Sequence, residues 1–145
     1  MPTRTAQTAW TGTLEEGGGS VALTSSGVGT FDVSFPHRAA EEAGGETSPE
    51  ELIAAAHSAC YAMALSAEIG RAGGVPRDLD VSAAVTLGAD PAGGFRLSGI
   101  ALLVRGSVDG LDEAGFLAAA EAAKAGCPVS KALAAVPITL DAALA

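Results

Sequence analysis

At 145 residues the chain has the length of one domain with its own core. With 48% hydrophobic and 17% charged residues it is not a disordered chain. A net charge of −9, from 8 basic against 17 acidic residues and with no Lys/Arg run, excludes binding to nucleic acid or an anionic membrane surface.

In chain order, the N-terminal third reads as short strands around Gly-rich turns. Thr5–Trp10 is the first strand, Val21–Thr24 the second and Val28–Phe35 the third, as in an antiparallel meander. No basic segment followed by an apolar run opens the chain, so the expected compartment is the cytoplasm. Pro36 to Glu46 is polar and Gly-containing and reads as a loop. A helix start follows, with Ser48 as N-cap, Pro49 in the first turn and Glu51 at the capping-box position. Glu50 and Glu51 favour the positive end of the helix dipole.

This helix is expected from Pro49 to about Ala72, ending at Gly73-Gly74, and is apolar nearly all round. It approaches the length of a membrane span, but its alanines and its polar His57, Ser58, Ser66 and Glu68 point to burial in protein. Strands follow at Leu79–Leu87 and Phe95–Arg105, then helices at Asp112–Gly126 and Pro128–Ala135, then a strand at Ile138–Leu144. The order β-β-β-α-β-β-α-α-β is an α+β plan in a single domain, residues 1–145.

Cys60 and Cys127 are 67 positions apart and form no CxxC pair, so zinc-finger and thioredoxin patterns are absent. One reading makes both cysteines small buried hydrophobes. Cys127, however, stands just before Pro128 at a helix start, where the dipole favours a thiolate. His57, three residues before Cys60, shares a helix face with it, which suits either a packed core histidine or a Cys–His hydrolase pair. A metal site from His57, Cys60 and Cys127 lacks a fourth ligand. Arg38 reads as a loop arginine and Lys131 as a surface residue near a helix end.

The run Thr47-Ser48-Pro49-Glu50-Glu51-Leu52-Ile53-Ala54-Ala55-Ala56-His57-Ser58-Ala59-Cys60 resembles the central-helix motif of the OsmC/Ohr family. Cys127-Pro128-Val129-Ser130-Lys131 resembles its second-cysteine motif, and Trp10 and Gly12 are similar to its N-terminal pattern. Both motifs point to the OsmC branch. The resemblance implies an intertwined homodimer, with antiparallel sheets around two long central helices. It also implies a peroxiredoxin-type thiol peroxidase that reduces organic hydroperoxides, and hydrogen peroxide less well, in the response to oxidative stress. By resemblance Cys60 is the peroxidatic cysteine, Cys127 the resolving cysteine that forms a disulfide with it, and Glu50 and Arg38 the supporting pair. An external dithiol, lipoyl-type dithiols included, is the implied reductant, with no metal or organic cofactor. A cysteine hydrolase built on Cys60 and His57, or a non-catalytic binder on the same scaffold, is the alternative.

The chemistry asks for such partners. At an ordinary thiol pKa only about 3% of Cys60 is thiolate at pH 7, and a guanidinium favours the charged form. Ten helical residues separate Glu50 from Cys60 by about 15 Å along the axis and about 80° around it. If both serve one site, Glu50 is expected from a second chain, with Arg38 beside it.

Overall fold

The computed structural model describes all residues from Met1 to Ala145. The elements are β1 (Gln7–Thr11), β2 (Gly18–Ala22), β3 (Thr30–Val33), α1 (Phe35–Ala39), α2 (Pro49–Arg71), β4 (Val75–Ala89), β5 (Phe95–Asp109), α3 (Glu113–Gly126), α4 (Pro128–Ala132) and β6 (Ile138–Leu144). The fold is α+β, with two three-stranded sheets ordered β1-β2-β3 and β4-β5-β6. The residues group into two compact units, 1–52 and 53–145.

In the first unit the strands form the expected antiparallel meander, with Val21 opposite both Thr8 and Phe31. Gly12 leaves β1 at a φ of 92°, and the Trp10 indole donates to its carbonyl at 3.0 Å. The segment read as a loop contains α1. Ser34 caps this short helix, its hydroxyl accepting from the His37 N–H, and Pro36 sits in the first turn with its φ already helical. Five residues show no apolar periodicity, which is why the sequence does not announce them. Ser48 caps α2 as expected, accepting from the Glu51 N–H at 3.1 Å. The Glu51 carboxylate accepts instead from the Thr47 hydroxyl at 2.6 Å.

In the second unit β4 and β5 form a long antiparallel ribbon. Ile100, Leu102, Val104 and Gly106 alternate inward along β5. The expectation of antiparallel sheets is corrected at β6, which pairs parallel to β5, Ile138 opposite Ile100. The two helices between β5 and β6 form the crossover that parallel pairing requires. Tyr61, Leu65 and Ile69 of α2 pack with Leu102, Val104, Phe116, Ala119, Ala120, Ala123 and Cys127 into one buried core. The Tyr61 hydroxyl donates to the Ala120 carbonyl at 3.0 Å, which satisfies the one polar atom this ring brings inside.

Within the chain α2 is covered along one stripe only. His57, Tyr61, Leu65 and Ile69 form a buried stripe, while Ala55, Ala56, Ala59, Ser66 and Ala67 are exposed and Met63 is 71% exposed.

Core packing near Gly106 leaves no room for a methyl group. A Cβ there would lie 2.8 Å from the Phe116 ring and 3.1 Å from Leu79. Gly106→Ala is expected to lower unfolding stability by about 1–3 kcal/mol in urea denaturation; an unchanged midpoint contradicts this packing.

Candidate functional site

Two pairs of side chains stand out, one in each unit. In residues 1–52, Arg38 lies in the last turn of α1 and Glu50 in the first turn of α2. The Arg38 Nε donates to both Glu50 carboxylate oxygens at 3.2 Å, and Nη2 donates to Oε1 at 2.8 Å. Glu50 is only 8% exposed. Burial alone would push its carboxyl up; the Arg38 hydrogen bonds and charge, with help from its own N–H and the Ser48 hydroxyl, hold it below the ordinary carboxylate value. A cavity of about 290 Å³ adjoins the pair, lined by Trp10, Val21, Phe35, Arg38 and Leu52 among others. Apolar walls with one guanidinium suit a ligand with an apolar body and a polar end.

In residues 53–145, Cys60 and Cys127 face each other as free thiols, Sγ to Sγ at 3.1 Å. Helix α2 supplies Cys60 from mid-helix. Cys127 caps both the end of α3 and the start of α4, where Pro128 forces the break. Cys127 is fully buried and Cys60 partly exposed. Burial raises the Cys60 thiol, and its contact with Cys127 raises it further, against a weaker lowering by the Val129 N–H. Burial raises Cys127 too, but hydrogen bonds from the Ser130 N–H, Cys60, the Ser130 hydroxyl and the Val129 N–H outweigh it and hold Cys127 below the ordinary thiol value.

His57 is fully buried and does not turn to Cys60. Its Nε2 lies 2.7 Å from the Ser130 hydroxyl, and its Nδ1 has no hydrogen-bond partner. A Cys60–His57 dyad is therefore not formed. No group of three His, Cys, Asp or Glu side chains is placed to hold a metal ion. Lys131 is exposed on α4. The structure thus brings Arg38 to Glu50 and Cys60 to Cys127. Ser130 was not singled out in the sequence, although Cys-Pro-Val-Ser places it one helical turn after Cys127.

The fold agrees with that of the known proteins this chain is similar to. The family model described as OsmC-like protein matches residues 42–141, and the chain belongs to that family. The chain is 43% identical, over 135 residues covering 93% of it and 92% of the relative, to Peroxiredoxin OsmC of Escherichia coli (strain K12). Among solved structures, an organic hydroperoxide resistance protein OsmC from Legionella pneumophila superposes with a TM-score of 0.79 at 28% identity, covering 99% of this chain and 98% of that one. The organic hydroperoxide resistance protein OhrB of Bacillus subtilis gives a TM-score of 0.77 at 29% identity, covering 97% of each chain.

Burial holds the His57 pKa below its ordinary 6.5. The unfolded chain therefore takes up a proton near pH 6.5 that the folded chain refuses, and stability falls as pH drops below that value. The loss ends once the folded-state pKa is passed. Between pH 7 and 5, wild type should lose stability relative to His57→Gln with a slope of at most about 1.4 kcal/mol per pH unit. Denaturant midpoints at each pH measure this, and parallel curves for the two proteins contradict it.

Proposed function

We propose that the chain is a thiol peroxidase that reduces organic hydroperoxides to alcohols, and hydrogen peroxide less well, in the cytoplasm under oxidative stress. One observation carries this reading: in a member of the OsmC-like family, two free cysteines lie 3.1 Å apart, one partly exposed and one buried. The Cys60 thiolate attacks one oxygen of the O–O bond. That bond breaks, the alkoxide takes a proton to become the alcohol, and Cys60 becomes a sulfenic acid. The Cys127 thiolate then attacks the Cys60 sulfur, the S–O bond breaks and the hydroxide leaves as water. The Cys60–Cys127 disulfide is reset by an external dithiol, which is oxidised in turn.

Within its own unit the Cys60 thiol is held up by burial and by Cys127. It needs a cation to become a thiolate at neutral pH. We assign that role to Arg38, oriented by Glu50 and supplied by a second copy of the chain. The open Ala55, Ala56, Ala59 and Met63 face of α2 supports this, because such an apolar helix calls for cover and alanines permit close approach. The first unit points the same way. Val21 is its one buried hydrophobic side chain, and Trp10, Leu14, Val28 and Phe31 stay exposed. The cavity beside Arg38 receives the organic part of the peroxide.

One equivalent of cumene hydroperoxide should remove both thiols of each chain, and mass spectrometry should find a Cys60–Cys127 disulfide within one chain. Cys60→Ser should lose peroxide consumption by at least a hundredfold. Cys127→Ser should react once and then accumulate sulfenic, sulfinic and sulfonic acids at Cys60. Peroxide consumption with both thiols left free contradicts the reading.

A further inference from the structure

The chain has one tryptophan, and it lines the same cavity as Arg38. We propose that Trp10 is a specificity-determining residue of the peroxidase: its indole is a fixed aromatic wall that selects hydroperoxides with a compact aromatic body over those with a straight alkyl chain. The inference rests on the reading that the cavity beside Arg38 receives the organic part of the peroxide.

The side chain is fixed at both ends. At its base, Trp10 lies in β1 directly opposite Gly19 of β2. Residues so paired share a face of the sheet, so no side chain from β2 stands beside the indole at this position. The strands are also close there, since a Cβ on Gly19 would lie 3.2 Å from the Trp10 Cα. At its tip, the indole N–H donates to the Gly12 carbonyl at 3.0 Å. Gly12 holds a φ of 92°, and a Cβ on it would lie 2.9 Å from the Gly17 Cα, so the acceptor sits where only glycine is at ease. That hydrogen bond satisfies the one polar atom of the ring. What remains is an apolar aromatic surface, and the side chain is 43% exposed.

The rest of the cavity fits an aromatic guest. Phe35 adds a second ring to the lining, Leu14, Val21 and Leu52 add aliphatic surface, and Arg38 is the one charged residue. The cavity volume of about 290 Å³ is at the small end for ligand pockets, which span roughly 300–1,000 Å³. A phenyl or cumyl group fits such a space with its oxygens toward the guanidinium. Rings gain from offset or edge-to-face packing beyond the area they bury, which favours an aromatic guest by about two- to tenfold in binding. A flexible chain gains nothing from ring packing and loses rotamer freedom on entering.

Because Trp10 is the only tryptophan, its emission reports occupancy of the cavity without any peroxide. The test titrates the reduced wild-type protein with cumyl alcohol and with n-nonanol, a straight-chain alcohol of the same carbon count. Cumyl alcohol should change the Trp10 emission and bind about two- to tenfold more tightly than n-nonanol. An emission unmoved by cumyl alcohol, or equal affinities for the two alcohols, overturns the proposal. Steady-state kinetics of Trp10→Leu and Trp10→Phe give the second reading. Trp10→Leu should raise the KM for cumene hydroperoxide toward that for n-nonyl hydroperoxide, while Trp10→Phe, which keeps a ring, should retain part of the preference. An unchanged preference in Trp10→Leu overturns the proposal and leaves the peroxidase reading standing. Tight cumyl alcohol binding in a chain that consumes no hydroperoxide overturns the peroxidase reading instead. The titration uses only the unmutated protein, so it decides even where a variant fails to fold.

Discussion

The contact between the Cys60 and Cys127 sulfurs is the constraint on which the chemistry depends. Their 3.1 Å separation joins residues 67 positions apart, so it is a product of packing. Helix α2 brings Cys60 because Tyr61, Leu65 and Ile69 lock its inner stripe into the core with Phe116 and Val104. Helix α3 stops where it does because Pro128 cannot continue it, which leaves Cys127 at a break between two helices. There burial, which alone would raise the Cys127 thiol, is outweighed by hydrogen bonding from the next turn and from Cys60, and the thiol is held below its ordinary value. The two thiols differ by environment, with Cys60 held protonated and Cys127 eased toward the thiolate.

That asymmetry raises the question of what ionises Cys60. The Arg38–Glu50 pair is suited to that role, because three hydrogen bonds fix the guanidinium while its charge stays available to a neighbour. The pair belongs to residues 1–52 and the sulfurs to residues 53–145. The proposed homodimer, joining the pair of one chain to the sulfurs of the other, would cover the open alanine face of α2 and add to the thin core of the first unit.

Much of this was legible in the sequence because it is written locally. Ser48, Pro49 and the carboxylates of Glu50 and Glu51 mark the start of α2 in four consecutive positions, and Gly73-Gly74 marks its end. The alternation over Leu79–Leu87 in β4 and the proline after Cys127 are equally direct. Helix α1 was not legible, being too short for periodicity and hidden in a polar stretch, although Ser34 and Pro36 cap it. The parallel pairing of β6 was missed because a strand's own residues do not state its direction relative to a neighbour. The His57–Ser130 bond spans 73 positions and follows only from how α4 is set against α2. On one helix His57 and Cys60 look like partners, yet the imidazole turns to α4 instead.

The central claim is that one working site draws Cys60 from one chain and Arg38–Glu50 from another. Its most direct measurement mixes two inactive variants, Cys60→Ser and Glu50→Ala, by joint unfolding and refolding, and assays cumene hydroperoxide reduction. Each heterodimer then holds one intact site, and statistical mixing should recover up to roughly a quarter of wild-type activity per chain. Verified heterodimers with no activity above that of the parent variants, or a fully active monomer by light scattering, would contradict the account.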